Sequence, residues 1–232
     1  CAHWQQPQLH AVFTAHPTFL LTPAQSAAVA QAASATGAID DAVCAVPGER
    51  TAITLEHEHR AALAAMARAQ DARDVLVGQL LEQARILWPD QWLAFAPLPF
   101  RFATWVGYDM DGRTDIGWHT SIAFRLQEKA ERLARYTAQL DRIDPAHPLL
   151  DTLRPAAAFA QSSAADFAAD LTSGEAFAAA ANRLTAGDPD NLLSFAPLIA
   201  ALESEARSAE PARAVALRTL AAAMRADGLG MG

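Results

Sequence analysis

The chain has 232 residues, enough to bury a sizeable core in one large domain or two small ones. It is 52% hydrophobic and 19% charged, and 18 basic against 26 acidic residues leave a formal charge of -8. No basic face is visible, which excludes nucleic acid as a main partner, although a local group of arginines could still hold an anionic small molecule.

Only Cys1 and Cys44 occur, so there is neither a disulfide framework nor a Cys-rich metal signature, and a reducing, cytoplasmic setting is expected. No apolar run reaches the ~18 residues of a membrane span, and no basic-then-apolar leader precedes the first motif. The opening Cys1 and the weakly anchored Gly228-Leu-Gly-Met-Gly232 tail read as cut ends of something longer.

Residues 9–16, Leu-His-Ala-Val-Phe-Thr-Ala-His, are rich enough in Val, Phe and Thr to form a buried strand over about 9–15. Pro17 pushes His16 away from the α region, and Thr22-Pro23 is a helix start with a hydroxyl cap and proline in the first turn. His16 thus stands where a strand ends and a helix is about to begin, the place where α/β proteins put chemistry. On the residues alone a lone histidine is more often structural or solvated, and a catalytic role is the alternative.

Ala24 to Ala35 forms an Ala-rich helix, with Gly37 beyond it as a stop. From Thr54 to Trp88 there is no proline, and Leu55, Leu63, Met66, Leu76, Leu80, Gln83 and Leu87 recur mostly at helical spacing. A helix of roughly 35 residues, about 50 Å long, follows, with Gly78 as its weakest point. His57 and His59 point to different faces and read as solvated rather than as a metal pair. Pro89 ends the helix. Phe100, Phe102 and Thr104 then alternate with Arg101 and Ala103 as in a half-buried strand over about 100–106.

The stretch Trp105-Val-Gly-Tyr-Asp-Met-Asp-Gly-Arg-Thr-Asp-Ile-Gly-Trp118 places carboxylates beside glycines inside an aromatic frame. A ligand-facing loop is the leading reading, and an acidic turn between strand and helix is the other. Asp109 and Asp111 could orient a cation or Arg113. A calcium loop is excluded, because its ninth and twelfth positions would be Gly117 and Thr120. Bracing of the loop through backbone N–H groups outweighs direct metal binding, and no metal ligand is assigned.

Thr120 can cap a helix running to about Ile143, with Ile122, Leu126, Ala130, Leu133 and Leu140 as its inner stripe and Glu128-Arg132 as an outer i,i+4 pair. Arg125, Lys129 and Arg135 read as a solvated face. Ala-rich helices follow at roughly 149–170, 174–186, 190–206 and 210–226, broken at Thr172-Ser-Gly174, Gly187-Asp-Pro189 and Glu210-Pro211. The organisation is a motif-bearing segment over 1–144 and a helical scaffold over 145–232. The fold class is mainly α with two short strands: either a helical domain with a small ribbon, or strands of a sheet or barrel completed by other sequence.

Phe13-Thr-Ala-His-Pro-Thr18 and Trp105-Val-Gly-Tyr-Asp-Met-Asp-Gly112, with the lead-in Phe95-Ala-Pro-Leu-Pro-Phe-Arg-Phe-Ala-Thr-Trp105, resemble two signatures of the phosphoenolpyruvate carboxylase family in their family order. The resemblance covers residues 12–118. It implies the N-terminal helical fragment of a large helix-elaborated β/α barrel enzyme that converts phosphoenolpyruvate and bicarbonate to oxaloacetate and phosphate. It implies Mg2+ or Mn2+ held by ligands outside this fragment, and a cytoplasmic homotetramer in the full-length protein. On this resemblance His16 takes the proton of carboxyphosphate, with Thr18, Asp109, Asp111 and Arg113 binding substrate or ordering the loop.

Four departures from the family pattern bear on activity. Phe19 stands where the family has glutamate or glutamine, and Met110 replaces an arginine. Gly107-Tyr108 replaces Gly-Gly, and Arg113 replaces an asparagine. The family's metal-binding carboxylates and later motifs have no match, so these residues alone are expected to be inactive. A catalytically altered or inactive helical regulatory or assembly module is the alternative. An unrelated metal-dependent hydrolase using His16, Asp109 and Asp111 fits the residue types but not the order or framing of the motifs.

Overall fold

The computed structural model describes residues 2–13, 22–36, 54–109, 111 and 114–229. Besides two short 3-10 helices (Ala2–Gln5 and Trp92–Ala94), the elements in chain order are strand β1 (Leu9–Phe13), helix α1 (Pro23–Thr36), helix α2 (Leu55–Leu87), strand β2 (Phe100–Thr104) and helix α3 (Trp118–Ile143). Then come α4 (Leu150–Ala168), α5 (Gly174–Thr185), α6 (Ala196–Ala206) and α7 (Pro211–Asp227).

The helices form where local sequence dictates. At the start of α1, Thr22 and Gln25 exchange side-chain and backbone hydrogen bonds, a reciprocal capping box. Thr54 Oγ1 accepts from the His57 backbone N–H and caps α2, which runs unbroken for 33 residues through Gly78. It stops just before Pro89, as expected. Helix α3 begins at Trp118, with Gly117 rather than Thr120 in the capping position. Helix α6 starts only at Ala196, because Asp188 draws the chain into turns through the N–H groups of Asp190 and Asn191.

The strands pair in parallel, Leu9 opposite Phe100 through Phe13 opposite Thr104. Parallel pairing requires a crossover, and the segment between the strands contains α1 and α2. β2 alternates as its sequence implies, with Phe100, Phe102 and Thr104 less exposed than Arg101 and Ala103. β1 departs from expectation. It is not a buried strand, since Leu9 is 53% and Val12 52% exposed.

The β/α barrel implied by the resemblance is not what the structure contains. Among the described residues there is a two-stranded sheet, neither closed nor curled. Two five-residue strands cannot form a ring, and among the described residues β2 is followed by no further strand, the Ala-rich helical sequences lacking period-2 alternation. The fold is mainly α with one small parallel sheet.

α3 and α4 pack antiparallel across a short connection. Against them the C-terminal half of α2, together with α6 and α7, closes the main core around Leu81, Leu133, Leu140, Leu153, Leu202 and Leu217, all fully buried. Each such leucine contributes about 1.5–3 kcal/mol relative to exposure. Of the stripe expected on α3, Leu126, Leu133 and Leu140 are buried, with Ile122 and Ala130 at its margin.

The second face of α3 is not solvated. α2 and α3 run side by side in the same direction, bridged side chain to side chain: His59 to Glu128, Met66 sulfur to Arg132, Asp71 to Arg135 and Asp74 to Gln139. Glu128 and Arg132, expected to pair on the outside, are both buried and take different partners. Lys129 is buried and donates to Asn191 at 2.7 Å, while Arg135 bridges Asp71 and Asp74. At the far end of this seam Asp227 closes α7. Its carboxylate accepts two bonds from Arg73, at 2.6 and 2.7 Å, and lies 3.2 Å from Arg132. The Arg73 guanidinium lies 5.6 Å from the Phe102 ring centroid, joining this ion cluster to the sheet. No described helix is long and apolar enough to cross a membrane.

Candidate functional site

The loop that follows β2 begins with a tight turn. Thr104 Oγ1 accepts from the Val106 N–H at 3.3 Å, and the Tyr108 N–H donates to the Trp105 carbonyl at 2.9 Å. Gly107 has φ +87°, in the region that favours glycine. A Cβ at that position would stand 2.3 Å from Cδ2 of Phe124, so space as well as backbone angle demands glycine. Ser121 Oγ donates to the Gly107 carbonyl at 2.5 Å and ties the turn to the first turns of α3.

Tyr108 points into the protein. Its hydroxyl donates to Glu128 Oε1 at 2.6 Å, and the Arg125 guanidinium lies 3.9 Å from its ring centroid. Burial pushes the phenol well above its ordinary pKa, and the Glu128 charge adds to this while Arg125 opposes it. The hydroxyl therefore stays protonated, as a donor must. The same Glu128 oxygen lies 3.3 Å from His59 Nε2, and the His59 ring stacks on Phe124 with centroids 3.9 Å apart and planes 4° from parallel. His59 is 1% exposed and Glu128 3%. The reading of His59 as a solvated side chain is thus corrected: its helix face meets α3 rather than water.

Around this trio lies a small apolar core separate from the main one, made by Leu55, Ala62, Val106, Ile116 and Phe124 with Phe13 and Tyr108 against it. It sits at the C-terminal ends of the two parallel strands, the end where open α/β sheets place their ligands. Phe13, three residues before His16 in sequence, therefore packs in the same cluster as the loop.

Of the residues singled out from sequence, His16, Thr18 and Arg113 lie outside the described residues, as do Phe19 and Met110. Asp109 and Asp111 are both exposed. Asp109 Oδ1 accepts from the Asp111 backbone N–H at 3.3 Å, the bracing arrangement of an Asx turn. Among the described residues no group of three or more His, Cys, Asp or Glu side chains stands together as a metal site. Trp105 and Trp118 are exposed near either end of the loop, and Trp118 packs edge-on against Phe177 with ring centroids 5.1 Å apart. A groove of about 670 Å³ runs between α3 and α4, lined by Ala130, Ala134, Ala138 and Ala157 among others and by no residue of the loop.

Sequence reading missed Glu128 and His59 as supports of this loop. One signal was present: Phe124, Glu128 and Arg132 fall at i, i+4 and i+8, so a large apolar residue marks their face as an inner one. His59, 69 positions from Glu128, had no such local signal. Comparison with protein-family models, with curated proteins and with solved structures finds no match to this chain.

Proposed function

We propose that this chain is part of a divergent phosphoenolpyruvate carboxylase, a cytoplasmic enzyme that converts phosphoenolpyruvate and bicarbonate to oxaloacetate and phosphate. The observation that carries the reading is the parallel register of Phe13 with Thr104. The two signature-bearing segments, Phe13 to Thr18 and Trp105 to Gly112, follow directly from the same end of adjacent strands. That neighbouring strand ends lead into two motifs resembling one family's signatures supports reading them as walls of a shared site.

In the proposed reaction bicarbonate oxygen attacks the phosphoryl group and the enolate leaves, giving carboxyphosphate. An imidazole accepts the carboxyphosphate proton, carbon dioxide and phosphate separate, and the enolate carbon attacks carbon dioxide. His16 is assigned as that base, a role that suits a side chain able to exchange a proton near neutrality. Asp109 and Asp111 order the loop beside it, with Thr18 and Arg113 as contacts for the anionic substrate. The Mg2+ or Mn2+ that the reading implies would be held by ligands outside this fragment, since among the described residues no group of three or more His, Cys, Asp or Glu side chains stands together.

The test is the His16→Asn substitution in the complete enzyme. Phosphoenolpyruvate binding, followed by calorimetric titration in the presence of Mn2+, should persist while oxaloacetate formation is lost. Full turnover by the variant would refute the role of His16. An unsubstituted enzyme that binds no phosphoenolpyruvate would favour the alternative, an inactive regulatory or assembly module.

A further inference from the structure

We propose that Tyr108, Glu128 and His59 are positioning residues: a buried clamp that sets the direction in which residues 105–109 leave the sheet and so places Asp109, which braces Asp111. The proposal stands on the geometry of the loop and is independent of the carboxylase reading.

Glu128 is the hub. One of its oxygens receives the Tyr108 hydroxyl from the loop and faces His59 Nε2 from α2, so a single atom of α3 links the loop to both helices. His59 in turn is fixed by stacking on Phe124, the ring against which Gly107 is pressed. The loop is therefore held at two consecutive residues, Gly107 through Ser121 and Phe124, and Tyr108 through Glu128 and Arg125. The next residue, Asp109, is exposed and braces Asp111. With the backbone at 107 and 108 held, the point from which Asp109 leaves the turn is held too.

A purely structural role would be served as well by apolar side chains. Replacing a buried hydrogen-bonded polar group with a well-packed apolar one is often neutral or stabilising, whereas a directional bond to one acceptor specifies a single loop geometry. Position 108 is also where a tyrosine has the most leverage, since its backbone lies between the strand-end turn and the exposed acids.

The experiment is amide hydrogen exchange on the full chain without ligand, comparing Tyr108→Phe, Glu128→Ala and Glu128→Gln. Tyr108→Phe removes only the donated bond. Exchange across 105–117 should rise about tenfold in that variant and in Glu128→Ala, while α4 to α7 exchange as before. Glu128→Gln keeps an acceptor oxygen for the phenol and should stay within about threefold of the unsubstituted chain. The proposal is overturned if Tyr108→Phe leaves the loop unchanged, or if exchange rises equally in α4 to α7. It is overturned as well if Glu128→Gln loosens the loop as much as Glu128→Ala, because the bond to Tyr108 is then not the cause.

Discussion

Replacing Gly107 with alanine tests whether the loop is held by contact with α3 or only by its own turn. At φ +87° an L-residue carries a backbone penalty of about 1–2 kcal/mol. The added methyl would lie 2.3 Å from Cδ2 and 2.9 Å from Cε2 of Phe124, whereas carbon atoms in comfortable contact stand about 3.5–4.0 Å apart. More than 1 Å of relief is needed, and the buried Phe124 ring cannot take it up freely because His59 is stacked on it. Overpacking of this kind adds about 1–3 kcal/mol, for a total of about 2–5 kcal/mol. Gly187→Ala supplies the control: its φ is +73°, but nothing lies within 4 Å of the new methyl, so it carries the backbone penalty alone. Urea denaturation of both variants should place Gly107→Ala about 1–3 kcal/mol below Gly187→Ala. Equal losses would mean that Phe124 yields without cost and that the described packing of loop on α3 does not constrain it.

Two further substitutions probe the rest of the fold. Asp227→Ala leaves Arg73 and Arg132 without their shared counter-ion, with the side chains of Arg73 and Asp227 1% and 0% exposed. Although Asp74 still neutralises Arg73 in part, the loss should be about 3 kcal/mol or more in thermal or urea denaturation, and a cost below about 1 kcal/mol would show that Asp227 is not the anchor of α7. Arg213→Met addresses acid sensitivity. The Arg213 hydrogen bond holds Asp144 below its ordinary pKa, and at Glu205 burial pushes up but is outweighed by hydrogen bonds from Arg213 and His147. Depressed carboxylates stabilise the fold above their unfolded pKa values and lose that contribution as pH falls through the folded ones. The native chain should therefore lose stability below about pH 4.5, the ordinary value for Glu205, and Arg213→Met should flatten this dependence in urea midpoints taken from pH 7 to pH 3. Parallel profiles for the two chains would refute it.

Local chemistry made most elements legible in advance. The 3.6-residue recurrence of Leu126, Leu133 and Leu140 depends only on neighbours along α3, and Pro89, Gly174 and Pro211 mark element boundaries whatever surrounds them. The alternation of Phe100, Phe102 and Thr104 is legible for the same reason. The Gly-Asp loop stood out by composition, and its bracing by Asp109 follows from the reach of a short carboxylate to the backbone two residues on. The charged residues of α3 were misread because one helix's pattern shows which residues share a face, not whether a second helix covers it. Lys129 and Arg132 are buried because α5 is followed by a turn bearing Asn191 and because α7 ends on Asp227, neither of which α3 encodes.

The barrel expectation failed for a related reason. Two strand-end motifs are compatible with many sheets, and only the pairing observed here, two parallel strands followed by helices, decides among them. Helix positions, turn chemistry and the existence of an acidic loop after a strand follow from residues close together in the chain, where propensity and hydrogen-bond reach act. The parallel register of Phe13 with Thr104, the meeting of His59 with Glu128 and that of Arg73 with Asp227, 154 positions away, arise only when whole elements pack. A strand edge or a buried charge can accept many partners, and the fold as a whole determines which one arrives.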